Sequence, residues 1–272
     1  MSTRAFGVRS PVATPFAKSR ENELVNAGSD PSISSAGPTG QPSGTASRTK
    51  VLACRVVAER LEQLVPPEVV VESLEMSLHE RPLGLRSALQ ESIDACAGRY
   101  ETIVLGYGLC GQAVVGLWAN ACRLVIPRAD DCIGIFLGTR EAYRARVAEE
   151  PGTFFLTRGW LGEDVSTPFR AHERLAERWG KERADRMMGA VLRNYRRLVF
   201  IRTGDEQDLA ADREQAAELA ERFGLRYEEI DGTNALVERL VCGPWDGDFV
   251  VVPPGATVAL ADFLGDDPSA HL

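Results

Sequence analysis

The chain has 272 residues, 44% of them hydrophobic and 26% charged, and a formal net charge of −8. This is globular composition, long enough for a real core, and the lack of any run of 18 apolar residues excludes a membrane-spanning helix. The acidic balance argues against a protein that coats nucleic acid, which needs the opposite sign.

The average hides two unlike parts. The first fifty residues hold six Lys/Arg and three Asp/Glu, so they stand at +3 and the remainder at −11. Thirty of these fifty are Ser, Thr, Ala, Gly or Pro. Such a stretch buries too little apolar surface to offset its ordering entropy. A disordered extension over 1–49 is expected, then an α/β domain over 50–260 and a C-terminal tail over 261–272. The apolar segment of a secretory signal is missing from the start, so the expected compartment is the cytoplasm.

In chain order the pattern alternates strand and helix. Val51–Cys54 reads as a strand, Val57–Leu64 as a helix, and Val69 to Met76 as a second strand. Leu83–Cys96 is an amphipathic helix with Leu85, Leu89, Ile93 and Cys96 on one stripe. Thr102–Leu105 is a third strand, followed by a glycine-rich turn and a short helix over Ala113–Asn120. Arg123–Ile126 is a fourth strand closed by Pro127. Helices follow at Cys132–Leu137 and Glu141–Ala148, and a fifth strand at Thr153–Leu156. Pro168, after Thr167, starts a long helical region whose stripe is Leu175, Trp179, Met188, Leu192 and Tyr195. Leu198–Ile201, Arg226–Ile230 and Phe249–Val252 complete the strands, with a helix over Leu209–Phe223 stopped by Gly224. Continuous Val/Ile/Leu strands between helices indicate a mostly parallel sheet covered on both faces. The expected fold is a doubly wound α/β sheet, either single or in two related lobes meeting near residue 165.

Open parallel sheets bind ligands outside the carboxyl ends of their strands. At those ends stand Cys54, then His79, then Tyr107 and Cys110, then Arg128, Asp130, Asp131 and Cys132. Cys54, Cys110 and Cys132 are candidate metal ligands. With His79 they suit tetrahedral zinc, and with an open fourth position they suit an iron–sulfur cluster. The sequence leaves two other readings open: a metal-free reactive thiol, and cysteines that only pack. Cys96, Cys122 and Cys242 lie at apolar positions and read as packing residues. Gly106, Gly108 and Gly111 match a dinucleotide-loop spacing formally, but Pro127-Arg128 stands where the next strand should end in an acid. Tyr107, Gly108 and Gly111 are therefore candidates for close approach to a cofactor, with the following helix N-terminus facing an anion. Arg128 is a candidate fork for an anionic substrate. His79 and Asp131 are candidate proton carriers, and Asp130 or Asp131 is expected to cap the helix from Cys132.

The stretches Tyr107-Gly-Leu-Cys110-Gly111, Pro127-Arg128-Ala-Asp-Asp131-Cys132-Ile133 and Leu156-Thr157-Arg-Gly159-Trp160, with Cys54, Glu59 and Leu78–Pro82, resemble domain-of-unknown-function family 1638. The resemblance covers about residues 50–255. Members usually carry histidine where this chain has Asp130, which implies that any role of that histidine passes here to a carboxylate or is lost. Some members resemble neighbours of corrinoid methyl-transfer systems. The resulting expectation is a metal- or iron–sulfur-dependent enzyme acting on a small anionic substrate. The alternative is a non-catalytic metal- or cofactor-binding accessory protein with a methyl-transfer partner.

Overall fold

The computed structural model of the chain describes residues 49–65, 69–75, 78–79, 81–161, 168–204 and 209–264. The expected extension before residue 49, Thr167, the end of the second strand at Met76, and most of the C-terminal tail lie outside them.

The elements run β1 (Thr49–Cys54), α1 (Arg55–Leu64), β2 (Val71–Leu74), α2 (Pro82–Ala95), β3 (Thr102–Gly106), β4 (Arg123–Pro127), α3 (Cys132–Phe136) and α4 (Arg140–Glu149). Then come β5 (Thr153–Leu156), α5 (Pro168–Trp179), α6 (Lys181–Leu192), β6 (Arg197–Arg202), α7 (Ala210–Arg222), β7 (Arg226–Asp231), α8 (Ala235–Cys242), β8 (Phe249–Val252) and α9 (Ala261–Leu264). The strands form two sheets. The first has the order β2-β1-β3-β4-β8, parallel except for β8, which runs antiparallel to β4. The second is β5-β6-β7, all parallel. The fold is thus mixed α/β with mostly parallel strands. The division falls between β4 and β5 rather than near residue 165, and the chain returns to the first sheet through β8.

Apolar runs decide the strands. Val51–Cys54, Ile103–Leu105 and Leu124–Ile126 are fully buried, as strands covered on both faces must be. Leu85, Leu89 and Ile93 form the buried stripe of α2, one turn apart. The second sheet has its own core of Leu156, Met188, Leu192, Leu198 and Phe200. α9 adds buried Phe263 to the first core.

Two expected helices differ. Residues 113–116 form turns and Trp118 bridges to Thr257, because the amides of this stretch are taken elsewhere: Gly116 N–H donates to the Val258 carbonyl and Ala119 N–H to that of Ala256, each at 2.8 Å. No helix N-terminus therefore follows the glycine loop. The long helix after Pro168 breaks at Gly180, whose φ of +82° suits glycine. The break turns Trp179 outward, and Tyr195 lies beyond the end of α6, also exposed; neither lies on the buried stripe. Cys96 and Cys122 are buried as expected, but Cys242 is exposed on α8.

Candidate functional site

In the order β2-β1-β3-β4 the chain crosses from one side of β1 to the other, so the switch point lies between β1 and β3. That is where an open sheet leaves a crevice at its carboxyl ends. Gly106 makes the switch tight: a Cβ there would stand 2.7 Å from that of Ala53. Cys54 ends β1 and is also the residue before α1, at the positive end of that helix. The loop after β3 carries Tyr107 and Cys110, and Cys132 opens α3 after β4.

The structure brings Cys54, His79, Tyr107, Cys110, Asp131 and Cys132 together. Cys54 and Cys132 are 1% and 5% exposed. The Cys132 thiol donates a hydrogen bond to Cys54 and lowers its pKa well below the ordinary thiol value; His79 and the Val56 N–H add to the effect against the cost of burial. Cys132 moves the opposite way, because Cys54 holds its proton and burial disfavours a second charge. Burial pushes the Cys110 thiol up as well, and the Cys54 and Asp131 charges add to that rise. Cys110 as a whole residue is nonetheless partly exposed. Tyr107 is fully buried and stacks on the His79 ring, with centroids 6.0 Å apart.

Two neighbouring groups in one hydrogen bond titrate as a unit. In the metal-free protein the Cys54–Cys132 pair is therefore expected to lose its protons in two steps, one below and one above the ordinary thiol value of 9.0. Ultraviolet thiolate absorbance against pH measures this, and a single step at the ordinary value would contradict the arrangement.

The loop of Cys110 is strained. Cys110, Gly111 and Gln112 have φ of +46°, +67° and +68°, a left-handed run that costs non-glycine residues energy. Leu109 N–H donates to the Ala129 carbonyl at 2.9 Å and Cys110 N–H to that of Asp130 at 3.0 Å, which ties this loop to the one before Cys132. Gly108 is placed for this chain-to-chain approach, and Gly111 packs against Pro82.

Asp131 is the helix cap. Its Oδ1 accepts from Ile133 N–H at 2.9 Å and Gly134 N–H at 3.3 Å, while its Oδ2 accepts from the Tyr143 hydroxyl at 3.1 Å. Burial raises its pKa in spite of these bonds. Asp130 pairs with Arg140 at 2.6 Å. Arg128 points elsewhere: its Nε donates to the Gly247 carbonyl at 2.8 Å, and Nη1 donates to that of Asp262. It clamps the segments around β8. His172 is buried and bonded to Asp185 and Arg222 on the helices of the second sheet, and His271 lies outside the described residues. Tyr143 is the site residue that sequence reasoning missed. It lies on α4, which shows no apolar stripe, and only its distance from Asp131 reveals it.

The donor set is soft, three sulfurs and an imidazole, and fits zinc or iron by chemistry. Among the described residues no group of three or more His, Cys, Asp or Glu already stands in a metal-holding arrangement. Among the same residues no helix is long and apolar enough to cross a membrane.

A family model described as protein of unknown function, DUF1638, matches residues 73–241, a span inside that expected from the motifs. No curated protein and no solved structure matches the chain.

Proposed function

The chain belongs to the DUF1638 family, and we propose that it is a metal-dependent enzyme whose thiophilic centre is made by Cys54, Cys110 and Cys132 with His79. The observation that carries this reading is the meeting of three sulfurs and an imidazole from four separate segments at the switch point of a parallel sheet. Metal binding displaces thiol protons, so a hydrogen-bonded thiol cluster is a reasonable metal-free form of such a centre. A bound zinc ion or iron–sulfur cluster would supply Lewis-acid or thiophilic chemistry.

The chain's own residues do the rest. Cys110, His79 and Asp131 are the partly exposed members of the cluster, and a small molecule approaches from their side. Asp131 and His79 hold or hand over a proton. Tyr107 walls the centre with an apolar ring. Arg128, the residue expected to bind an anionic substrate, is instead bonded to the carbonyls of Gly247 and Asp262. Six free cysteines suit a reducing compartment such as the cytoplasm.

Metal analysis of protein purified without oxygen tests the centre. About one zinc or one cluster per chain is expected in the wild type, and its loss in Cys110→Ala and Cys132→Ala proteins that keep their circular dichroism. Wild-type protein that takes up neither zinc nor iron when reconstituted would overturn the proposal. The accessory-protein alternative predicts the same metal content, with the metal passing to a methyl-transfer partner and no turnover.

A further inference from the structure

The second sheet has a crevice of its own. At the carboxyl ends of β6 and β7 lies a cavity of about 360 Å³, walled by Arg60, Arg202, Thr203, Arg213, Asp231 and Asn234. That volume is within the range of small-ligand sites, roughly 300–1,000 Å³, and strand ends are where a parallel sheet offers ligands a place. A narrower pocket lined by Thr157 and Arg158 continues it along α1, and the two share Arg60, Thr203, Gly204 and Leu209.

The walls are built and braced. Gly232 folds back on β6, its N–H bonded to the Arg202 carbonyl at 2.8 Å, where any Cβ would stand 2.7 Å from Ile201 and Thr203. Glu229 meets Arg213 at 2.9 Å and Asp231 meets Arg202 at 2.5 Å, so β7 holds two guanidinium planes from the strand side. Arg60 is oriented by Asn234 at 2.9 Å, and its Nη1 lies 3.9 Å from where a Gly204 Cβ would be. α7 begins at this cavity, with no side-chain cap among the described residues, and its amide end carries positive potential. Thr157, 1% exposed, has a hydroxyl with no hydrogen-bond partner and lines the inner pocket.

We propose that this cavity binds a phosphate monoester of a hydroxylated small molecule, at a site separate from the cysteine centre. The phosphate lies against Arg60 and Arg213 at the start of α7, where planar guanidinium forks match its oxygens. The hydroxyl-bearing part faces Asp231, which is 82% exposed at the rim and accepts hydrogen bonds. Thr157 and Thr203 add hydroxyls on the inner side.

Calorimetry with ribose 5-phosphate, and with ribose as the control, tests this on the full chain at low salt. Ribose 5-phosphate is expected to saturate one site and ribose to give no binding. Arg60→Gln or Arg213→Gln should weaken binding by about tenfold or more, the loss of a charged hydrogen bond. Gly204→Glu should abolish binding, and among the described residues its Cβ has no neighbour nearer than 3.8 Å. Cys110→Ala should leave it unchanged, which separates this site from the metal centre. Absence of saturable binding overturns the assignment. Equal binding of ribose, or full binding by Gly204→Glu, overturns it too.

Discussion

Gly108→Ala should destabilise the protein by about 3 kcal/mol, the upper end of what one added methyl costs in a packed interior. The new Cβ would stand 2.7 Å from the Asp131 amide nitrogen, 2.8 Å from the Ala129 carbonyl oxygen and 2.8 Å from the Asp131 Cα. All three are backbone atoms, so no rotamer change relieves the clash. The two loops must part, which stretches the hydrogen bonds of Leu109 and Cys110 to the opposite loop. Those loops carry Cys110 and Cys132, so the same substitution should open the buried thiols to reagents. Urea unfolding and thiol counting on the native protein measure both effects. Gly98→Ala is the comparison: its φ of +73° is left-handed, which that of Gly108 is not, and nothing lies within 4 Å of its Cβ. That change should cost only about 1 kcal/mol, the left-handed penalty alone. Equal losses at the two positions would show that close approach of the loops is not what fixes Gly108.

Asp131→Ala should cost about 2 kcal/mol, at the upper end for a lost helix cap. It strips Ile133 and Gly134 of their acceptor and the Tyr143 hydroxyl of its partner. Asp131→Asn keeps an acceptor oxygen at the cap and should cost clearly less. The pair also separates capping from proton transfer: if Asp131 carries a proton in the reaction, the asparagine protein stays folded and loses activity. The pH dependence has a definite sign. The folded pKa is raised from 3.8 by burial, so the folded state keeps its proton longer than the unfolded state. Stability from this group therefore falls as pH rises from the ordinary carboxylate value through the raised one. The asparagine variant should lose that slope, and thermal melts across the acidic range would reveal it.

The strands and the cluster of cysteines at their ends are legible in the sequence because they depend on local pattern. Val-Leu-Ala before Cys54 and Leu-Val-Ile before Pro127 make buried parallel strands, and whatever follows such a strand falls at its carboxyl rim. The failures arise where distant segments decide. Residues 113–120 are apolar enough for a helix, and Ala113, Val114, Leu117 and Ala119 are indeed buried. Their conformation is set by the chain after β8, which supplies carbonyls to their amides. Arg128 follows a strand and so suits a substrate fork by sequence; its partners lie 119 and 134 residues further on. The arginine-lined cavity was equally invisible, since Arg60 meets Asn234 across 174 residues.

The borders of the family match lead to a practical warning about trimming. The match begins at residue 73, inside β2, and stops at 241, one residue before the end of α8. The first sheet, however, has β1 between β2 and β3, and β8 along the outer edge of β4. A fragment cut at those borders would lose a middle strand, leaving two ladders open where one continuous sheet had been and exposing strand edges that favour aggregation. It would also lose Cys54. The smallest piece able to fold by itself must therefore reach from Thr49 to at least Val252, and the matched span is a stretch of recognisable sequence rather than a physical domain.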